Sequence, residues 1–178
     1  RLIRETHKIL LQTVRGENKM PGDFRISQNW IGGSSLASAK FIPPNYRYID
    51  ELMGDVERFI HNESNNVPHL IKIAILHYQF ETIHPFLDGN GRVGRLLITL
   101  YLVGQVILNK PALYLSDYLE RNRDTYYRHL TDIRERNEMI PWIKFFLKGV
   151  IITSENAKNT FIRIIELQKD IETRLLKF

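Results

Sequence analysis

The 178-residue chain contains 43% hydrophobic and 25% charged residues, which is typical of a globular protein with one domain. It has no cysteine, which excludes a disulfide scaffold, a thiolate metal site and a cysteine nucleophile. Its 25 Lys and Arg against 20 Asp and Glu give a net charge of +5, which suits nucleotide or nucleic-acid partners without selecting either. The longest apolar run, residues 96–103, is too short to cross a bilayer, so we expect no membrane span.

The first half of the chain opens with a helical pattern. Apolar residues recur at helical spacing over residues 3–14, and this first helix is expected to end near Gly16. Glycine, proline and serine residues then break up two short β-like pieces, at 24–31 and 40–42, which we interpret as a hairpin flap. Helical periodicity returns over residues 49–60.

Two unusual helices are predicted next. Residues 70–80 and 92–108 are apolar on nearly every side, which is typical of helices in the middle of a fold. The most polar and turn-rich segment of the chain, residues 84–91, joins them. Burying polar backbone is costly, so this loop is expected to have a function. Amphipathic helices resume after Pro111, and the fold class is therefore mainly α.

The start of the second apolar helix has the features of a phosphate site. Glycines on both sides of Asn90 permit left-handed backbone, so successive amides can form an anion-binding nest. The free amides and the dipole of the following helix favour a phosphate at the same place. Arg92 and Arg95 share one face of the first turn, where cations are unfavourable unless an anion binds.

Two further side chains of the loop can take part in a reaction, one as a metal ligand and one as a base. Asp88 supplies a hard carboxylate oxygen beside the expected phosphates, as magnesium sites in nucleotide proteins do. His84 precedes Pro85, which is expected to hold it in an extended conformation, and an imidazole there can act as a general base. Phe86 is expected to pin the loop into the core. Because the chain offers no cysteine and no Ser-His-Asp pattern, the nucleophile is expected on the substrate.

The order and spacing of these residues resemble the signature of the Fic family, nucleotidyl transferases of the Fido fold. The signature is carried by His84, Pro85, Phe86, Asp88, Gly89, Asn90, Gly91, Arg92 and Arg95. The likeness extends to the flap segments 21–33 and 41–44 and to downstream positions. It implies a helical bundle with a short β-hairpin flap. It also implies a single Fic domain over residues 1–178, with a core of about 2–146 and a long C-terminal helix or helices over 147–178.

The resemblance implies transfer of AMP from ATP to a Ser, Thr or Tyr hydroxyl of a target protein, with release of pyrophosphate. His84 would be the base, and Asp88 would bind Mg²⁺. Tyr126 and Tyr127 would form the adenine-side wall, and the flap over Gln28–Ile42 would hold the target as an added strand. The nucleotide phosphates would be held by Gly89, Asn90, Gly91, Arg92, Val93, Gly94 and Arg95.

The resemblance also sets expectations about setting and regulation. A bacterial, cytoplasmic protein is expected, a homodimer is compatible with the family, and nucleic acid would be bound only through a domain outside this stretch. Many members carry an inhibitory helix, Ser/Thr-x-x-x-Glu-Gly/Asn, whose glutamate pairs with the second arginine of the motif. Residues 13–18 match that pattern, with Glu17 at the acidic position, but Gly16 interrupts a helix there. We therefore expect the inhibitory segment to be missing and the 178-residue form to be more active than a longer one.

Three alternatives remain at this point. The same loop could serve removal of AMP or transfer from another nucleotide donor. A nucleotide-binding regulatory module without turnover would not need a base at His84. A P-loop NTPase is disfavoured because the chain has no Gly-x-x-x-x-Gly-Lys-Ser/Thr pattern.

Overall fold

The computed structural model describes residues 1–12, 20–62, 64 and 66–175. These residues contain two short 3-10 helices, Leu36–Ser38 and Tyr46–Tyr48, and seven α-helices, which confirms the mainly α prediction. The α-helices are α1 (Leu2–Leu10), α2 (Ile49–His61), α3 (His69–Ile83), α4 (Asn90–Gly104), α5 (Leu115–Arg121), α6 (Arg123–Arg136) and α7 (Met139–Leu175). The chain forms two compact units, Arg1–Ile107 and Leu108–Phe178. The single-domain assignment stays a prediction.

The core of the first unit is built on α3 and α4. Helix α3 packs against both α2 and α4, and α1 packs against α4. Both central helices bury side chains on several faces, as their sequences predict. Their buried apolar residues are Ile73, Ala74, Leu76, Phe80, Ile83, Val93, Leu97, Ile98, Tyr101 and Leu102. The loop between α3 and α4 therefore starts and ends in the buried core of this unit.

A buried histidine joins these two helices. His77 of α3 is fully buried, and its Nδ1 donates a hydrogen bond to the Gly94 carbonyl of α4 at 3.0 Å. A side chain on Gly94 would collide with the carboxylate of Glu81, so glycine permits the close approach of α3 and α4. Burial lowers the pKa of His77 to about 4, which keeps the ring neutral at pH 7.

The low pKa of His77 predicts that the free energy of unfolding depends on pH. An unfolded histidine titrates near its ordinary value of 6.5, whereas folded His77 has a pKa of about 4. As the pH falls below 6.5 the unfolded chain takes up a proton first, so the free energy of unfolding decreases until about pH 4, by about 3 kcal/mol. We expect His77→Gln to remove this part of the loss in urea titrations across that range. His61→Gln, at an exposed position, serves as the matched control and should leave the pH profile unchanged.

The second unit has an aromatic core. Trp142, Phe145 and Phe146 of α7 are buried, and the Trp142 ring contacts Tyr126 of α6 at a centroid distance of 5.9 Å. The remainder of α7, from Ser154 onward, is largely exposed. None of the helices in the described part of the chain combines the length and apolar character that crossing a membrane requires.

Helix α1 is shorter than its sequence pattern predicts. It ends at Leu10 instead of near Gly16. The amide of Leu11 makes the last helical bond, to the His7 carbonyl at 3.1 Å, and the backbone of Leu11 then leaves helical geometry, with φ of −100° and ψ of 7°. Gly16 itself lies outside the described residues, as does the candidate inhibitory pattern at 13–18.

The predicted β-hairpin flap is not confirmed. In the described residues the two β-like pieces meet in one antiparallel bridge, between Ile31 and Phe41, and form no strand. Between them the hydroxyl of Ser38 accepts the amides of Ser34 and Ser35 at 3.0 and 3.1 Å. Gly33 lies against the Ser38 carbonyl with φ of 75°, where a side chain would be strained. On the other side of the bridge, Pro43 and Pro44 have no amide hydrogen with which to continue a ladder, so the flap is a looped segment closed by one bridge.

Candidate active-site loop

His84 occupies the C-terminal cap of α3 and is partly buried. Its φ of 51° and ψ of 59° are left-handed, so the predicted extended conformation is wrong. The physical reason is that the His84 amide still bonds the Phe80 carbonyl, at 2.9 Å, which completes the last turn before the chain reverses. Pro85 then ends the helix. A non-glycine residue in this region is uncommon and stores strain, as residues at functional sites often do.

Phe86 anchors the loop in the core, as expected. Its ring is fully buried and stacks on His7 of α1, with centroids 3.7 Å apart and an interplanar angle of 6°. Phe24 and Phe80 complete its surroundings, at centroid distances of 5.3 and 6.4 Å. The chain on either side of this ring is thereby held in one place.

Asn90 closes the loop with its side chain. Its Oδ1 accepts the Phe86 amide at 2.8 Å, and its Nδ2 donates to the Phe86 carbonyl at 2.7 Å. Because both ends of the carboxamide are used and the residue is 2% exposed, the side chain holds the loop. What Asn90 can offer to an anion is its backbone amide.

The N-terminus of α4 presents the predicted nest. Gly89 caps the helix with φ of 78°, a conformation that suits glycine. The first helical hydrogen bond runs from the Val93 amide to the Gly89 carbonyl, at 3.0 Å. The amides of Asn90, Gly91 and Arg92 precede this first bond, so they have no hydrogen-bond acceptor within the helix. Together with the positive end of the helix dipole, these amides are suited to binding an anion.

Two guanidinium groups and one carboxylate surround this nest. The Arg95 side chain folds back along the first turn, with Nη1 3.3 Å from where a Cβ on Gly91 would lie. Arg92 is exposed, and its Nη2 lies 4.0 Å from Oδ2 of Asp88. Oδ1 of Asp88 accepts the Gly89 amide at 2.6 Å. The loop therefore brings together the cation pair and the acid that its sequence predicts.

The donor set fits Mg²⁺ only together with a phosphate ligand. Asp88 is half exposed, so its carboxylate is open to a cation. Among the described residues no group of three or more His, Asp or Glu side chains could hold a metal. Magnesium commonly binds one or two carboxylates and takes its remaining ligands from phosphates and water.

The other predicted site residues have different surroundings. Val93 is 1% exposed, so its side chain packs in the core, and Gly94 is buried against α3. In the second unit Tyr126 is 3% exposed and belongs to the core, whereas Tyr127 is 45% exposed. The Arg123 guanidinium lies over the Tyr127 ring, 5.6 Å from its centroid. Of the two tyrosines, Tyr127 has the ring face that a ligand can reach.

Three residues that contact the loop were not predicted. His7 bonds the Asp88 carbonyl, Arg25 bonds the His84 carbonyl, and Asn29 bonds the Phe86 carbonyl. His7 had a detectable signal, since it lies in the apolar stripe of α1, where a polar residue needs a partner. Arg25 and Asn29 had none, because arginine and asparagine in a turn-rich segment normally face water.

The comparisons with known proteins point to the same family as the signature in the loop. The model of the Fic/DOC family matches residues 1–102, more than half of the chain. The chain belongs to this family. The resemblance drawn from the signature is thereby confirmed.

Individual relatives cover much of this chain but little of their own length. Protein adenylyltransferase Fic of Drosophila grimshawi is 30% identical over 125 residues, which is 70% of this chain and 23% of that protein. A crystal structure of a Fic family protein from Desulfovibrio desulfuricans has 28% identity and a TM-score of 0.74, over 89% of this chain and 46% of that one. Fic-1 from C. elegans, at 23% identity and a TM-score of 0.66, supports the fold over 90% of this chain and 43% of that one. The chain thus spans less than a quarter of the curated relative's length and under half of these solved structures.

Proposed function

We propose that this protein transfers AMP from ATP to a hydroxyl group of a target protein. The observation that supports the proposal most is the loop between α3 and α4, with a histidine at its start and, at its end, the N-terminal amides of α4 beside two arginines. A base and a phosphate site on one rigid loop suit nucleotidyl transfer. The name of the Drosophila relative, a protein adenylyltransferase, points the same way.

In the proposed reaction the hydroxyl oxygen attacks the α-phosphorus of ATP. His84 takes the hydroxyl proton, the new bond joins that oxygen to the α-phosphorus, and the bond from the α-phosphorus to the bridging oxygen breaks. Pyrophosphate carries the released electron pair. A positioned base of this kind is worth about 10²–10⁴ in rate.

The phosphates would be held at the N-terminus of α4. The amides of Asn90, Gly91 and Arg92 would bind their oxygens, and the forked guanidinium groups of Arg92 and Arg95 would neutralise the charge. Asp88 would hold Mg²⁺, which when bound offsets phosphate charge and draws the oxygens into position. Such stabilisation counts most for the charge that develops on the leaving pyrophosphate.

The target would bind along the flap. Ile31 and Phe41 exchange backbone bonds of 2.9 and 3.1 Å, which holds this stretch extended at one point. Trp30 and Ile42 on either side are 40% and 50% exposed, so they offer apolar contacts to an incoming segment. An extended target peptide would pair with the flap through its backbone, a mode that reads shape more than sequence.

The experiment that tests the proposal is peptide mass spectrometry. The protein is incubated with Mg·ATP and a cell lysate, and tryptic peptides carrying AMP on Ser, Thr or Tyr are counted. We expect them with the native protein and not with His84→Asn. Equal counts in both samples would contradict the assigned role of His84. An increase of phosphate-carrying peptides in place of AMP-carrying ones, relative to lysate without the protein, would contradict the reaction.

Changing the acid of the loop tests the magnesium assignment. Asp88→Asn removes the carboxylate charge but keeps an acceptor for the Gly89 amide. We expect Mg²⁺ to raise the ATP affinity of the native protein and to have little effect in the variant, measured by calorimetric titration with and without Mg²⁺. Asp55→Asn, on the exposed side of α2, is the matched control. A Mg²⁺ effect retained by Asp88→Asn would place the metal ligand elsewhere.

A further inference from the structure

Two buried polar side chains from the N-terminal quarter of the chain hold the loop at opposite ends. Arg25 is 2% exposed and His7 is fully buried. Arg25 bonds the chain at His84 and Pro85, whereas His7 bonds it at Asp88. The two contacts lie on either side of Phe86, the anchor of the loop.

Arg25 donates hydrogen bonds to several backbone carbonyls around His84, the proposed base. Its Nε donates to the His84 carbonyl at 2.9 Å, and its own amide donates to the Pro85 carbonyl at 2.8 Å. The two terminal nitrogens reach the carbonyls of Ser27 and Pro44, at 3.0 and 2.5 Å. A buried guanidinium is tolerated only when its donors are satisfied, and its charge also suits the C-terminal end of α3.

The consequence for His84 is geometric. The bond to its carbonyl from Arg25 fixes the plane on one side, and the amide bond to Phe80 fixes the other. The direction in which the imidazole leaves the backbone therefore depends on Arg25. The same guanidinium reaches Ser27 and Pro44, which lie at the two ends of the flap.

His7 holds the phosphate end. Its Nδ1 accepts the Gly22 amide at 2.8 Å, so in the neutral ring the proton is on Nε2, which donates to the Asp88 carbonyl at 3.0 Å. Burial lowers the pKa of His7, which favours this neutral form. The ring edge also lies 3.5 Å from where a Cβ on Gly89 would stand. His7 therefore fixes the orientation of the peptide group between Asp88, the proposed metal ligand, and Gly89, the cap of α4.

We propose that Arg25 and His7 are positioning residues with separate tasks, Arg25 for the base and His7 for the nucleotide. The proposal rests on the function proposed above. It requires that the two residues affect different quantities. Loss of Arg25 contacts slows the transfer step while nucleotide binding persists, and loss of His7 contacts weakens nucleotide binding.

The test uses conservative variants. Arg25→Lys keeps the charge but cannot reach several carbonyls at once. His7→Phe keeps the stacking on Phe86 but loses both hydrogen bonds. Arg47→Lys and His61→Gln, at exposed positions, are the matched controls. If Arg25→Lys or His7→Phe fails to fold, Arg25→Gln or His7→Gln replaces it, and thermal unfolding identifies the folded variants.

Two quantities are measured for each folded variant: kcat for AMP transfer, and Kd for a non-hydrolysable ATP analogue with Mg²⁺. For Arg25→Lys we expect kcat to fall about ten- to a hundredfold with Kd within about twofold. For His7→Phe we expect Kd to rise about five- to tenfold, the equivalent of one lost hydrogen bond. Proportional changes of both quantities in both variants, or no change in either, would overturn the division of tasks.

Failure of the proposed function can be told apart from failure of this inference. If the native protein binds the analogue but transfers no AMP, the proposed reaction fails. The measured Kd values for the ATP analogue still decide the inference. A raised Kd in His7→Phe together with an unchanged Kd in Arg25→Lys supports it, and any other pattern overturns it.

Discussion

Replacing His84 with asparagine is expected to slow AMP transfer about 10²–10⁴-fold. Asparagine tolerates the left-handed backbone of this position, so the loop should keep its shape while losing the base. The proposed phosphate contacts come from residues after Phe86, and the Kd for Mg·ATP should therefore stay within about twofold. Single-turnover rates and calorimetric titration measure the two quantities on the same preparations.

The result separates an enzyme from a nucleotide-binding module. His61→Asn, at the exposed end of α2, is the control and should retain the native rate. If the affinity for ATP fell together with the rate, His84 would be holding the loop and not acting on the substrate. If the rate were unchanged, another group would be the base.

Removing the ring of Phe86 is expected to have the largest effect on stability. The side chain is fully buried among His7, Phe24 and Phe80, so Phe86→Ala loses its burial and leaves a cavity beneath the loop. Such substitutions cost about 3–5 kcal/mol. Denaturation with urea, followed by circular dichroism, measures the change in the free energy of unfolding.

A matched substitution on an exposed surface provides the control. Phe161 lies on the exposed part of α7 and is 51% accessible. Phe161→Ala removes the same atoms but little buried area, so we expect a change within about 0.5 kcal/mol. If Phe86→Ala lowered the free energy of unfolding no more than Phe161→Ala does, the ring of Phe86 would not anchor the loop.

The central helices and the loop between them could be predicted because their signals are local. An all-round apolar pattern identifies α3 and α4 as buried, since such a sequence cannot face water on any side. The two glycines and Asn90 predict the turn into α4 by their backbone preferences. The spacing of His84, Asp88 and Arg95 predicts that they lie on the loop and the start of the following helix, and the structure places His84 at the C-cap of α3 and Arg95 near the start of α4.

The parts that could not be predicted depend on contacts distant in the sequence. Pro85 excludes right-handed helix at His84 but leaves open the cap geometry, which the Phe80 carbonyl and Arg25 decide. Arg25 is buried because several carbonyls converge on it in the folded chain. The residue pattern predicts a hairpin, yet the pairing stops at the bridge between Ile31 and Phe41, because Pro43 has no amide hydrogen with which to continue a ladder.

The most direct test of the central claim compares two labels on ATP. The protein is incubated with Mg²⁺, a lysate as acceptor, and ATP labelled on either the α- or the γ-phosphate. Relative to lysate without the protein, we predict additional label on protein from the α-position alone, and we predict that His84→Asn abolishes this increase. Additional label from the γ-position would indicate phosphoryl transfer and contradict the account. Tight ATP binding without any retained label would contradict it as well, in favour of a nucleotide-binding module without turnover.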